Sequence, residues 1–180
     1  MLGYPGSGKS HFSKQLAKKI KAIRLNSDHL RKHIFDKPAE HHNAADHPIV
    51  FGSLAYAAHE ALSAGHSVVC DANYNFLKDR QKYAKIAQRL SANAITIWIK
   101  TPLETAIERG NSRELTNEQV RFNEDHIKRT ASELEPPCSP DEKCIEIDGT
   151  LDFDHQFAEF KKKLRLINKS TAKNDGTLSL

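Results

Sequence analysis

The first residues with a chemistry of their own stand at the front of the chain, in the stretch GYPGSGKS. Gly3, Gly8, Lys9 and Ser10 fit the spacing G-x-x-x-x-G-K-[S/T]. Glycines let a short loop curl so that successive backbone N–H groups point inward around a phosphate. Pro5, Gly6 and Ser7 complete that loop and His11 follows it, so all of these are candidate nucleotide-binding residues. A helix starting at Lys9 aims the positive end of its dipole at the same anion. Lys9 has the reach for β- and γ-phosphates, and the Ser10 hydroxyl is a hard oxygen ligand suited to Mg²⁺. No Asn-Lys-x-Asp guanine signature occurs, which makes ATP the expected nucleotide.

Three further groups could act on a bound phosphate. In Asn26-Ser27-Asp28-His29-Leu30-Arg31, Ser27 or Asn26 suits a helix cap, and Asp28 and Arg31 are then i, i+3 on one face. There the carboxylate can take the proton of an attacking hydroxyl while the arginine holds an anionic acceptor. The same pair also fits a plain surface ion pair; its place at a strand end favours the site. Asp71 closes the apolar run Val68-Val69-Cys70, where an acid holds Mg²⁺ or caps a turn, and Asn73 follows it as a candidate acceptor ligand. Arg109 and Arg113 flank Gly110 and Asn111, as in a lid closing on nucleotide; the alternative is a cationic helix end. Arg80 and Arg121 are weaker candidates for the same site. His41, His42 and His47 suit a loop beside the acceptor better than a metal tract, since no cysteine joins them.

The elements that must position these groups alternate. Met1 and Leu2 alone precede the loop, a very short first strand; the expectation is that the natural chain begins upstream. Phe12, Leu16 and Ile20 mark a helix at i, i+4, i+8. Residues 22–28, 66–72, 94–100 and 144–148 are strand-like. Residues 49–65 and 76–90 are helical, with Gly65 stopping the first of these. Thr101-Pro102-Leu103-Glu104 has the form of a capping box, and Thr116 with Gln119 repeats the device before a helix ending at Pro136-Pro137. Phe153, Phe157, Phe160, Leu164 and Ile167 line one face of a closing helix. The lysines at 161–163 and Arg165 form its solvated side. Strands separated by helices predict a parallel sheet covered on both faces, with ligands at the carboxyl ends of the strands. A single domain over 1–167 is expected, with a frayed tail over 168–180.

Composition agrees with a soluble globular chain: 180 residues, 38% hydrophobic, 28% charged and net charge +4, which attracts phosphates but is weak for nucleic acid. No apolar run reaches membrane length. Cys70, Cys138 and Cys144 show no metal spacing and read as reduced thiols, pointing to the cytoplasm.

Taken together, GYPGSGKS, NSDHLR, VVCDAN with FLKDRQ, and TPLETAIERGNSRE resemble the AAA-type family of P-loop kinases. That family is similar to the 5′-kinase domain of polynucleotide kinases and, more distantly, to zeta-toxin and chloramphenicol phosphotransferase kinases. The resemblance runs over about residues 1 to 165. It implies a three-layer P-loop NTPase fold with five strands in the order 2-3-1-4-5, counting the residues ahead of Gly3 as strand one. It also implies Asp28 as the hydroxyl-activating base, Arg31 as a ligand for an acceptor phosphate, and Arg113 as the lid arginine. The activity so expected is transfer of the γ-phosphoryl group of MgATP to a hydroxyl of a small-molecule or nucleotide acceptor. The alternatives are the 5′-hydroxyl of a polynucleotide, and a slow ATPase switch that binds a partner.

Overall fold

In a computed structural model, residues 1–36, 45–112, 123–137 and 142–174 are described, with side chains to 169. Four parallel strands form two pairs among them. β1 (Ile23–Asn26) pairs with β2 (Val68–Asp71), and β3 (Thr96–Lys100) with β4 (Cys144–Asp148). The registers set Asn26 opposite Asp71 and Lys100 opposite Asp148, so the strand ends line up. Met1 and Leu2 are bonded on both sides. The Met1 amine donates to Cys70 O at 3.0 Å, while Leu2 N donates to Ile97 O at 2.8 Å and Leu2 O accepts from Ile99 N at 3.0 Å. Two residues cannot build a ladder, so this stretch makes a single parallel bridge, Leu2 to Trp98, rather than the expected strand.

Side chains alternate across a strand, and the two faces bury different partners. On one, Val69, Ile97, Ile99, Ile145 and Ile147 pack on Phe12 and Leu16 of α1 (Lys9–Ile20) and Phe160 of α7 (Phe153–Asn174). On the other, Leu25 and Cys70 meet Val50 and Leu54 of α3 (Asp46–Ser63) and Leu30 of α2 (Ser27–Phe35). Tyr83 of α4 (Leu77–Arg89) and Tyr74 join that second cluster. α5 (Leu103–Asn111) and α6 (Glu124–Ser132) pack on each other. Helices thus cover both faces of parallel strands, and no described helix is long and apolar enough to cross a membrane.

Two local expectations change. Pro102 is the residue before α5, not its first turn, and it makes no side-chain cap. Thr101 therefore falls one position too early to cap, and its hydroxyl goes elsewhere. α7 runs on to Asn174, past the point where the sequence predicts fraying. Thr116 and Gln119 lie outside the described residues; α6 is capped by Asn123, whose Oδ1 accepts from His126 N at 2.9 Å.

Candidate active site

The loop between Leu2 and α1 turns back at Gly6, whose φ is +81°. A Cβ built there would stand 2.2 Å from Ala106 O, on the main chain of α5, so only glycine lets the loop lie this close. α1 starts at Lys9 with Gly8 as its N-cap residue, no side-chain cap and no acid in its first turn. Its leading amides and dipole are left to an anion. Lys9 Nζ lies across this end, donating to Gly3 O at 2.6 Å and Tyr4 O at 2.9 Å. The hydrogen bond from Gly3 N to Asn75 Oδ1, 3.1 Å, pins the loop's start to the segment after β2. Ser7 and Gly8 follow the bend; Pro5 is half-buried, and His11 is exposed and bonded to Gln15 Nε2 at 2.6 Å.

Ser10 and Asp71 are brought together. Ser10 Oγ lies 3.3 Å from Asp71 Oδ1, and Asp71 is 1% exposed at the end of β2. Its other oxygen accepts from Arg24 Nε at 3.0 Å, from Arg24 Nη2, and from Asn26 Nδ2 at 2.8 Å. Burial pushes this carboxyl up. The Arg24 guanidinium and hydrogen bonds from Ser13, Asn26 and Arg24 outweigh it and hold Asp71 below the usual carboxylate range. A carboxylate held below the usual range beside a serine hydroxyl, at the mouth of a phosphate-type loop, is a donor set fit for a hard divalent cation. Arg24 was not singled out from sequence. The signal was present: an arginine inside the apolar run AIRLN needs an acid, and period 2 puts Arg24 and Asn26 on one face.

Asn26 Oδ1 accepts from His29 N at 2.9 Å, so Asn26, not Ser27, caps α2 and fixes Asp28 in its first turn. Asp28 is half-buried. Arg31 is 9% exposed and pairs with Asp46 Oδ2 at 3.6 Å, tying α2 to the start of α3. Arg80 is buried and paired. It is 7% exposed, binds Glu142 through Nε at 2.5 Å and donates from Nη1 to Tyr74 O and Asn75 O. Asn73 is exposed just past Asp71. Arg109 is exposed and donates from Nη1 to Gly149 O at 2.8 Å; that same nitrogen lies 4.0 Å from the position a Gly8 Cβ would occupy. Its guanidinium therefore stands beside the end of the loop. Arg113, Arg121, His41, His42 and Cys138 lie outside the described residues, and His47 stacks on Phe51 with ring centroids 3.9 Å apart. Among the described residues no cluster of His, Cys, Asp and Glu could hold a metal by itself. Cys70 and Cys144 are free thiols, and burial pushes Cys70 up to about 11.

A glycine loop, a helix N-terminus and a Ser–Asp pair at one edge of parallel strands define a nucleotide-binding fold of the P-loop class. Residues 1–137 match the AAA domain family AAA_33, and the chain belongs to it. A curated relative, the L-seryl-tRNA(Sec) kinase of Methanococcus maripaludis, is 26% identical over 123 residues, which is 67% of this chain. The chain spans about half the length of that relative, 48%. Among solved structures, the fold is shared with a gluconokinase from Sinorhizobium meliloti, at TM-score 0.68 and 17% identity over 96% of this chain and 94% of that one. It is also shared with the Mycobacterium tuberculosis APS kinase CysC bound to AMPPNP and APS, at TM-score 0.64 and 22% identity over 91% and 94%.

Proposed function

We propose that this protein is a magnesium-dependent kinase that moves the γ-phosphoryl group of ATP to a hydroxyl of a small-molecule or nucleotide acceptor. The observation that carries this reading is Ser10 Oγ at 3.3 Å from an ionised Asp71, at the mouth of the Gly3–Ser10 loop. When bound, Mg²⁺ supplies positive charge that offsets the charge of the β- and γ-phosphate oxygens. Ser10 and Asp71 are the residues that would hold it. The loop amides and the α1 N-terminus hold the phosphates, and Lys9 exchanges the Gly3 and Tyr4 carbonyls for phosphate oxygens. Asp28 accepts the acceptor's hydroxyl proton as that oxygen bonds to the γ-phosphorus and the bond to ADP breaks. Arg109, beside Gly8, and Arg113 supply charge to the transferring group. Asn73 is the acceptor contact on the open side. Arg31, whose buried Nη1 makes no hydrogen bond, is the ligand for an acceptor phosphate, whereas for Arg80 buried pairing supports an indirect role, setting the segment that carries Asn75.

This reading treats β1, β2, the Met1–Leu2 stretch, β3 and β4 as one sheet, in the order 2-3-1-4-5 with that stretch as strand one. The free thiols support a reducing, cytoplasmic setting. A second reading, an acceptor hydroxyl carried on RNA, is favoured by the seryl-tRNA(Sec) kinase relative.

The test is a transfer screen with ATP labelled at the γ-phosphate against sugars, gluconate, nucleosides, APS, seryl-tRNA and 5′-hydroxyl oligonucleotides. Label reaching one class identifies the acceptor. Slow ATP hydrolysis that no acceptor accelerates rejects the kinase in favour of a nucleotide switch.

A further inference from the structure

We propose that Thr101 is a positioning residue for the phosphate loop, and that Gly149 is the residue that makes room for it. The proposal rests on the nucleotide reading above and adds what holds the loop in its binding shape. Thr101 follows β3 and is 5% exposed. Its Oγ1 donates to Ser7 O at 2.8 Å, a contact between residues 94 apart in the chain. The C=O and N–H of a trans peptide point in opposite directions. Holding Ser7 O therefore turns the Gly8 N–H away from Thr101. Gly8 is the N-cap residue of α1, so this amide belongs to the anion-binding set.

The same residue grips the other end of the loop. The Tyr4 hydroxyl donates to the Thr101 carbonyl oxygen. One residue thus fixes Tyr4 through its main chain and Ser7 through its side chain.

Gly149, at the end of β4, closes the arrangement from below. Its N–H donates to Lys100 O at 2.7 Å. A Cβ on it would stand 1.9 Å from Thr101 Oγ1 and 2.7 Å from Ser7 O, so any larger residue pushes the hydroxyl off the loop. Gly149 O in turn accepts from Arg109 Nη1. A continuous chain of contacts then runs from Arg109 through Gly149 and Thr101 to the Ser7–Gly8 peptide.

The experiment separates hydroxyl from volume. Thr101→Val keeps the shape and removes the donor; Thr101→Ser keeps the donor and removes a methyl. Dissociation constants for MgATP and MgADP are measured by calorimetry on wild type, both variants and Gly149→Ala, each with a thermal melt. Thr101→Val is expected to weaken both nucleotides about tenfold, the weight of one buried hydrogen bond. Thr101→Ser is expected within about twofold of wild type, and Gly149→Ala to follow the valine variant. Should the valine variant not fold, Tyr4→Phe removes the second anchor and is expected to weaken binding by about threefold, a smaller share of the same hydrogen-bond weight. Wild-type affinity in Thr101→Val, or equal losses in valine and serine variants, overturns the proposal while the nucleotide reading stands. A wild-type protein that binds neither nucleotide overturns both.

Discussion

Gly6→Ala is the sharpest test of the loop, because its cost can be worked from the coordinates. Two terms add. With φ at +81°, an L-residue in this region costs about 1–2 kcal/mol. The new methyl would stand 2.2 Å from Ala106 O and 2.9 Å from Ala106 C. Those are main-chain atoms of the buried Ala106 in α5, which cannot step aside as a side-chain tip would. Forcing an extra carbon into such a place costs about 1–3 kcal/mol. The sum is roughly 2–5 kcal/mol; at about 2–4 °C per kcal/mol for a chain of this size, the melting temperature falls by about 4–20 °C. The loop and α5 also separate, so MgATP affinity drops with stability. Gly52→Ala is the control. Gly52 sits inside α3 with nothing within 4 Å of the added carbon, and the change is expected to stabilise by up to about 1 kcal/mol. Thermal melts by circular dichroism and calorimetry with MgATP read both. A Gly6→Ala protein that melts and binds like wild type would refute the close approach of loop and α5.

Three more predictions follow from the charges. Asp28→Asn should lower phosphoryl transfer by about 10²–10⁴ while leaving the MgATP dissociation constant unchanged, measured with the acceptor that the screen identifies. Asp71→Asn leaves Arg24 without its counter-charge; urea unfolding should give a loss of about 3 kcal/mol, the low end for a broken buried pair because Arg24 is 20% exposed, and Mg²⁺ should no longer sharpen nucleotide binding. Acid should act through the same carboxyl. Its folded pKa lies below 3.8, so the stability it contributes is present above that value and is lost as pH falls through 3.8 towards the folded value. Urea midpoints followed down the acid limb should therefore drop more steeply in wild type than in Asp71→Asn, and parallel curves would count against the Arg24–Asp71 pair.

What the sequence revealed and what it hid divide along physical lines. Short-range patterns were legible. The run CIEID became β4 with the predicted limits, and the phenylalanine stripe of α7 lies in the core, because period and apolarity are local properties. Long-range contacts were not. Thr101-Pro102-Leu103-Glu104 satisfies the capping-box spacing, yet the hydroxyl meets Ser7 across the fold, and nothing within four residues of Thr101 announces that partner. The spacing of Asp28 and Arg31 likewise gives no sign of Asp46, the acid 15 residues on that pairs with Arg31. Asn75 was missed for the same reason: its work is to accept from Gly3 N, 72 residues away.

The hidden contacts share a purpose. A loop that binds triphosphate must hold several amides converged before the ligand arrives, and here few of its constraints come from strand pairing. Leu2 contributes only its two bonds to Ile97 and Ile99. Others come from Lys9 within the loop and from residues at three different strand ends: the Asn75 side chain beyond β2, the Thr101 side chain beyond β3, and Gly149 beyond β4 as the spacer behind Thr101. The Ser10–Asp71 pair is set in a similar way, since Arg24 and Asn26 on β1 hold the Asp71 carboxylate that faces Ser10. Loosening any one strand end therefore disturbs phosphate binding as well as packing. In this chain the loop's shape and the registry of the strands form one mechanical unit, so loop variants should show coupled losses of nucleotide affinity and stability, whereas Asp28→Asn should lower transfer alone.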